Sequence, residues 1–357
     1  MQAPTLAAAV VTGLVWVPVL SAVMPQGVAS NRPQTRLGAS AGAVDATGGP
    51  RLELSGLHFR VDGQERFLIG VSLFDALGPT GPSDDDLDAL ARWQVSLVRV
   101  WAHWKEPIYG ADGGLSSAGR ERLERLVQRL EHRGLLLELV LLRPGQLPGQ
   151  PYAVFKSREA RLRAVREIAG VLKTHRGVLF DLYNEHDHPD GPISHAEVRT
   201  LRDAVKEIDP ARIVTVSSTE YHFLTPSGAL EASGLANLRE EVEVCGVDLL
   251  APHLPRTADW AEATAGRVER LRKALESLGH PLPMYLNEER RAEQGREPLL
   301  ASVYSTAAAG SRAAGAAGWV FHTEAGYGLD RSRFLNALTP QERIALERLA
   351  STAAPAR

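Results

Sequence analysis

Short apolar stretches alternate with longer amphipathic ones along most of the chain. Eight stretches rich in β-branched and other apolar residues have the length of buried strands, and they cover 67–73, 95–101, 135–142, 178–184, 213–217, 247–252, 284–287 and 319–322. Apolar residues recur with helical spacing between them, most clearly in 117–132, 158–175, 196–208, 260–278 and 340–350, and most weakly in 228–243. This alternation predicts a parallel sheet covered by helices, and about eight repeats favour closure into a (β/α)₈ barrel of the TIM type.

Two shorter runs of alternating apolar and polar residues lie at the start of this pattern. They cover 52–60 and 66–73, and Val61-Asp62-Gly63-Gln64 separates them. An Asp-Gly pair between such runs favours a tight turn, because both residues tolerate a positive φ. We therefore expect a short N-terminal β-hairpin that leads into the first barrel strand.

The first 50 residues differ in composition from the rest of the chain. An apolar run over 6–23, followed by small residues near Ala29, predicts a signal peptide in 1–30 and hence a secreted or periplasmic protein. No Lys or Arg precedes the run and Pro18 interrupts it, so an uncleaved membrane anchor and a different start site are the alternatives. Residues 31–50 are rich in Gly, Ala, Ser and Pro, which predicts a flexible linker and leaves 51–357 as one folded domain.

Charge and cysteine content exclude several classes of function. The formal net charge is -3 and the charges are interspersed, so a nucleic acid is not an expected partner. Cys245 is the single cysteine, which excludes an internal disulfide and a thiolate metal cluster. No Gly-rich nucleotide-binding motif follows the first strand. No membrane partner is expected unless the N-terminal segment is retained.

Two predicted strands run directly into a glutamate. The stretch 178–184 leads into Glu185, and 284–287 leads into Glu288. Strand ends on the carboxyl side of a (β/α)₈ barrel face one active site. Hydrolysis of a glycosidic bond needs two carboxyl groups, and a separation of about 5 to 5.5 Å between them goes with retention of configuration. For either residue alone, a surface salt bridge or a helix cap is the simpler interpretation.

The ordered set of motifs resembles clan A glycoside hydrolases, and more particularly the cellulase-like family 5 group, over 52–350. The stretches that carry the resemblance are FRVDGQERFLIGVS, LVRVW, LYNEH and PMYLNEE. The resemblance implies a retaining, cofactor-free hydrolase of a β-glucan, a β-mannan or a related oligosaccharide. It implies Glu185 as acid/base, Glu288 as nucleophile, Arg99 as support for the nucleophile and Asn184 as donor to the sugar 2-hydroxyl.

Further substrate-binding residues are predicted from aromatic and histidine positions near strand ends. Aromatic rings stack on the apolar faces of sugars, and the candidates are Trp101, Trp104, Tyr183, Tyr221 and Trp319, of which Trp319 is expected to pack in the core. His253 and His322 follow the sixth and eighth strands. The sequence departs from the family pattern at four points: Pro255 replaces a tyrosine, His322 replaces a tryptophan, His186 replaces the proline after the Asn-Glu pair, and no histidine lies at the end of the third strand.

Several alternatives stay open. Glu289 competes with Glu288 as nucleophile, because a one-residue change of register exchanges them. Glu220 and Glu324 also follow strands and are candidates for extra substrate contacts. The loop after Glu185 contains four residues of types that can bind a metal ion, namely His186, Asp187, His188 and Asp190. They suggest a metal site, although a polar subsite is the expected interpretation. The alternative functions are a non-catalytic carbohydrate-binding barrel and a metal-dependent barrel hydrolase built on His186, His188 and His253.

Overall fold

The computed structural model describes residues 48–144, 155, 157–292 and 299–353. The predicted signal peptide, 1–30, and the linker prediction over 31–47 lie outside the described residues. Within the described ranges, no helix combines the length and the apolar content that crossing a membrane requires.

A small antiparallel sheet precedes the barrel. It consists of β1 (Leu52–Ser55), β2 (His58–Val61) and β3 (Gln64–Arg66), in the order β1-β2-β3. The predicted turn lies between β2 and β3, where Asp62 and Gly63 have φ of 52° and 78°. The expectation of one hairpin was incomplete, because the run 52–60 itself folds back at Gly56, which has φ 58°.

The parallel sheet has nine short strands in the described part of the chain. They are β4 (Leu68–Ser72), β5 (Leu97–Trp101), β6 (Leu136–Val140), β7 (Val178–Asp181), β8 (Ile213–Thr215), β9 (Ser217–Ser218), β10 (Ala251–Pro252), β11 (Tyr285–Leu286) and β12 (Gly318–Phe321). Seven pair in the order β11-β12-β4-β5-β6-β7-β8, while β9 continues β8 and pairs with β10. A parallel bridge between Leu250 and Met284 joins β10 to β11. The sheet is therefore closed, and the predicted (β/α)₈ barrel is confirmed.

Helices cover the outside of this sheet. They are α1 (Asp84–Arg92), α2 (Ser117–Glu131), α3 (Arg158–Leu172), α4 (His195–Ile208), α5 (Ala232–Glu240), α6 (Trp260–Ser277), α7 (Ala301–Ala313), α8 (Phe334–Ala337) and α9 (Pro340–Ala353). Helices α1 to α4 each begin after a serine whose hydroxyl accepts a backbone N–H of the first turn. Such a cap stabilises a helix start by about 1 kcal/mol. A π-helical turn, Glu241–Cys245, follows α5 directly.

Alternation along the strands decides what fills the barrel. On β5, Leu97, Arg99 and Trp101 share one face, whereas Val98 and Val100 pack into the large cluster beneath the helices. The amino-terminal end of the interior is apolar, and Phe59 of β2 packs there against other buried residues. The next inward-facing positions toward the carboxyl ends of the strands, such as Arg99 on β5, carry charged side chains. The interior therefore changes from apolar to charged toward the carboxyl end of the sheet.

Candidate active site

Arg99 is the centre of a buried ionic network at this end of the barrel. Its guanidinium donates to Glu138 Oε1 at 3.1 Å, to Asp181 Oδ2 at 2.9 Å and to Glu288 Oε2 at 2.7 Å. It also donates to Asn184 Oδ1 at 2.8 Å. The guanidinium of an arginine presents five N–H donors in a rigid planar fork, so it can hold acceptors from several strands in fixed directions. Arg99 thereby fixes the positions of Asn184 and Glu288 relative to the sheet.

The partners of Arg99 are themselves held by further hydrogen bonds. Tyr285 donates its hydroxyl to Glu138 Oε2 at 2.9 Å, and Asn287 donates its amide to Glu138 Oε1 at 2.7 Å. Asp181 accepts the hydroxyl of Ser217 at 2.7 Å. These bonds cross the barrel from neighbouring and opposite strands, so the network forms only when the sheet closes.

Glu288 follows β11 and lies between two guanidinium groups. Arg99 donates to its Oε2, and Arg256 donates to its Oε1 at 3.2 Å. Burial alone would raise the pKa of Glu288, but the neighbouring histidines and the two arginines hold it well below its ordinary value. Burial also lowers the pKa of His322 well below the histidine value, although the neighbouring Glu288 acts in the opposite direction. Glu288 is therefore an ionised, oriented carboxylate.

Glu185 follows β7 in an uncommon backbone conformation. Its φ is 53°, a left-handed value that costs a non-glycine residue about 1 kcal/mol or more and is common at functional sites. Ser217 Oγ accepts its backbone N–H at 3.3 Å. Its carboxylate Oε1 lies 3.1 Å from His253 Nδ1, and its side chain is 21% exposed. The turn directs this carboxyl group toward the open end of the barrel.

The two glutamates face each other across one cleft. A carboxylate oxygen of each, together with a ring nitrogen of His253, forms a group in which all three atoms lie within 4.8 Å of one another. Both glutamates line a cleft of about 500 Å³, within the range of small-molecule sites. Two carboxyl groups this close can act on opposite sides of a single glycosidic bond.

Comparison with known proteins assigns this chain to a family. The model of the cellulase family, glycosyl hydrolase family 5, matches residues 60–253, more than half of the chain. The chain belongs to glycosyl hydrolase family 5. It is a glycoside hydrolase, and its family acts on β-linked glycans. No curated protein sequence matches it.

Solved structures share the fold of this family 5 chain at low identity. The endo-1,4-β-mannanase from Rhizomucor miehei is 12% identical, with a TM-score of 0.58 over 84% of this chain and 98% of its own. The β-mannanase from the blue mussel Mytilus edulis is 14% identical, with a TM-score of 0.57 over 85% and 97%. A broad-specificity endoglucanase from an uncultured bacterium is 16% identical, with a TM-score of 0.58 over 80% and 94%.

An aromatic wall lines one side of the family 5 cleft. It consists of Phe74, Trp101, Trp104 and Tyr327. Phe74 stacks on Trp101 with ring centroids 3.7 Å apart, and the guanidinium carbon of Arg99 lies 4.3 Å from the centroid of the Trp101 ring. Trp101 therefore offers the cleft an edge, since both partners lie over its ring. Trp104 donates its indole N–H to the carbonyl of Tyr327 at 3.0 Å, which fixes that ring.

The other predicted aromatic residues differ in position. Tyr221 lines the cleft and is 51% exposed. Tyr183 is buried and donates its hydroxyl to the carbonyl of Gly191. Trp319 is buried in the core, as the sequence predicts. Only Tyr221 of these three is therefore available to a sugar in the described cleft.

The predicted polar residues fall into two layers. Asn184 and Glu220 line the cleft. Arg99, His253 and His322 are buried, and all three face Glu288, with His253 Nε2 and His322 Nε2 each 3.9 Å from a carboxylate oxygen. They are placed to orient the carboxylates. Glu324 accepts a hydrogen bond from Arg291, whose side chain does line the cleft.

The alternative of a metal-dependent hydrolase built on His186, His188 and His253 does not fit the described residues. His253 lies with the two glutamates, whereas His186 belongs to a separate group of histidines. His188 is in the cleft wall, where its Nδ1 accepts the backbone N–H of Asp190. The histidines of this alternative diverge because neighbouring residues of an irregular loop point in different directions.

Sequence reasoning missed Phe74, Arg143, Arg256, Arg291 and Tyr327, which also line the cleft. Phe74 follows the first barrel strand, so its position was a usable signal. Arg256 and Tyr327 lie several residues into loops, and nothing local indicates which way a loop residue points.

Glu289, the competitor of Glu288, is buried and is not among the described cleft residues. Burial raises the pKa of Glu289 to about 7 despite nearby arginines.

Because the folded-state pKa of Glu289 exceeds its unfolded-state value, this carboxyl group lowers the free energy of unfolding increasingly as the pH rises from about 4.5 to 7. We expect Glu289→Gln to stabilise the protein at pH 8 by up to about 3 kcal/mol and to have little effect at pH 4. Urea unfolding at both pH values measures this. An equal effect at both would contradict it.

Proposed function

We propose that this family 5 enzyme hydrolyses a β-linked glucan or mannan by double displacement, with Glu288 as nucleophile and Glu185 as acid/base. The observation that carries the proposal is the approach of the two carboxylates within 4.8 Å across the cleft. That approach fits direct attack by one carboxylate, because an inverting site needs about 6.5 to 9.5 Å to hold a water molecule between the carboxyl groups.

In the first step Glu288 attacks the anomeric carbon and Glu185 protonates the leaving oxygen. The attack needs an ionised carboxylate, and the histidines and arginines that hold the pKa of Glu288 well below its ordinary value supply that condition. The bond between the anomeric carbon and the leaving oxygen breaks as the ester to Glu288 forms. The proton of Glu185 leaves with the sugar alcohol.

In the second step Glu185 removes a proton from water, and the water oxygen displaces Glu288 from the anomeric carbon. His253 lies between both carboxylates, with Nδ1 3.1 Å from Glu185 and Nε2 3.9 Å from Glu288. With its proton on Nε2, His253 offers Nδ1 as an acceptor for the protonated form of Glu185. This tautomer also directs an N–H toward the negative charge of Glu288. His253 thus holds the acid in place before sugar binding.

The cleft walls support a β-linked sugar as substrate. Aromatic side chains form one wall, and polar groups, including those of Asn184 and Glu220, also line the cleft. Sugar rings have apolar faces that stack on aromatic surfaces and hydroxyl edges that need hydrogen bonds. The mannanases and the endoglucanase that share this fold act on such polymers, according to their names.

Trapping the covalent intermediate tests the proposal. The probes are a 2-fluoro β-glucoside and a 2-fluoro β-mannoside with activated leaving groups. The fluorine slows both steps by destabilising the oxocarbenium-like transition state, whereas the activated leaving group speeds the first step, so the ester accumulates. We expect one sugar per protein, attached at Glu288, in peptide mass spectra. Glu289→Gln should be labelled like the wild type, and Glu288→Gln should not be labelled.

The stereochemistry of the product provides an independent check. Proton NMR during the first minutes of hydrolysis should show the β-anomer as the first product. The α-anomer as the first product, or an adduct on Glu289 with none on Glu288, would contradict the proposed mechanism.

A further inference from the structure

A second group of histidines lies beside the active site and takes no part in the proposed reaction. It consists of His186, His195, His222 and Glu241, whose ligand-type atoms lie within 4.8 Å of one another. We call it the histidine cluster. His186 follows Glu185 in the chain, His195 begins α4, His222 lies in the loop after β9, and Glu241 begins the π-helical turn. None of them belongs to the group formed by Glu185, His253 and Glu288.

The interior of the histidine cluster contains polar atoms without partners. His186 Nε2 is hydrogen-bonded to Glu241 Oε2 at 3.2 Å. His195 Nε2, His222 Nε2 and Glu241 Oε1 are buried and have no hydrogen-bond partner among the described residues. Glu241 is fully buried. An unsatisfied buried polar group costs about 1 to 3 kcal/mol, so three together call for a common partner.

Carboxylates outside the histidine cluster orient two of its rings. Glu240 Oε2 lies 2.7 Å from His195 Nδ1, and Asp187 Oδ2 lies 2.9 Å from His222 Nδ1. A carboxylate on one nitrogen fixes the proton there and leaves the other nitrogen as a free lone pair. This carboxylate–histidine pairing is typical of histidines that bind a metal ion.

Glu241, the first residue of the π-helical turn, lies in the same space. Such turns place an extra residue in a helix and often occur at functional sites. Glu241 Oε2 lies 3.2 Å from His186 Nε2 and 3.7 Å from His222 Nε2. A tetrahedral zinc ion, with bonds of about 2.0 to 2.1 Å, separates its ligand atoms by about 3.4 Å. The two measured separations bracket this value.

We propose that His186, His195, His222 and Glu241 bind one Zn²⁺ ion. Imidazole nitrogens favour zinc and neighbouring transition metals, whereas Ca²⁺ and Mg²⁺ require mainly oxygen ligands. Four protein ligands complete a tetrahedral shell and leave no position for a reactive water, so the site is structural.

The bound ion would stabilise the wall of the catalytic cleft. His186 is adjacent to Glu185, and Asp187 accepts both the backbone N–H and the hydroxyl of Thr219, which lines the cleft. Zinc would therefore link the loop that carries Glu185 to α4, to the loop after β9 and to the π-helical turn. The left-handed backbone of Glu185 would be held from its C-terminal side.

Metal binding by the untagged full-length protein tests this proposal. After removal of metal with a chelator, dialysis against Zn²⁺ should give one equivalent per chain by elemental analysis and should raise Tm. Substitution by Co²⁺ should give the intense visible absorption of a tetrahedral site. His195→Ala and His222→Ala should lose the stoichiometric ion. His188→Ala is the matched control, because this histidine lies in the same loop outside the histidine cluster and should leave binding unchanged.

The zinc-binding proposal and the catalytic proposal can fail independently of each other. Glu288→Gln, which should not turn over substrate, should bind one equivalent as the wild type does. The zinc site is excluded if the folded wild type binds no equivalent of Zn²⁺ or Co²⁺, or if His195→Ala and His222→Ala bind as the wild type does. If both variants fail to fold by circular dichroism, the wild-type stoichiometry and cobalt spectrum decide.

Discussion

Replacing Glu288 by glutamine is expected to lower kcat/KM by about 10⁴-fold or more, the scale of loss when a nucleophile is removed. Glutamine keeps the size of the side chain and can still accept a hydrogen bond from Arg99, which lies 2.7 Å from Glu288 Oε2. The loss should therefore come from the missing charge and nucleophile. Hydrolysis of aryl β-glycosides and of soluble glucan and mannan measures the effect.

The neighbouring glutamate provides the control. Glu289→Gln removes an equally buried carboxyl group one position away, and it should retain activity within a few-fold of the wild type. Circular dichroism must show that both variants are folded at the assay temperature. Comparable activity of Glu288→Gln and the wild type would refute the assignment, and loss in Glu289→Gln alone would move the nucleophile by one residue.

Replacing Glu185 by alanine is expected to have an effect that depends on the leaving group. For a polysaccharide, whose leaving alcohol must be protonated, kcat should fall by about 10² to 10⁴-fold. A dinitrophenyl glycoside needs no proton, so its first step should be nearly unaffected and the ester on Glu288 should accumulate. Steady-state and burst kinetics with leaving groups of different pKa measure this difference.

Azide distinguishes a missing base from a distorted site. This small anion can attack the ester without general-base assistance and can enter the space that alanine leaves. We expect azide to accelerate turnover of the dinitrophenyl substrate by Glu185→Ala and to yield a β-glycosyl azide. An equal loss for all leaving groups, with no response to azide, would contradict the acid/base role.

The pattern along the chain was sufficient to predict the barrel and the rim positions of the two glutamates. Strand β7 ends four residues before Glu185, and β11 ends two residues before Glu288. Strand ends converge in any parallel barrel, so their location follows from the alternation alone. The charged residues of the barrel interior are also visible in the sequence. Glu138 and Asp181 are single acidic residues within otherwise apolar strands.

The histidine cluster could not be predicted. The sequence suggested a metal site from adjacent residues of one loop, but the structure groups His186 with residues from three other elements. Glu241 is buried at the start of a π-helical turn, in a segment where helical periodicity was weakest. Such a grouping depends on where separate loops meet and has no counterpart in local spacing.

The sequence by itself determined the order of strands and helices, the closure of the sheet and the strand ends that carry glutamates, because hydrophobic periodicity and propensity act over a few residues. The tertiary structure alone decided the distance between the two glutamates, the position of Arg256 beside Glu288 and the aromatic wall of the cleft. Distances between side chains on different elements depend on packing across the whole barrel, which no local pattern encodes.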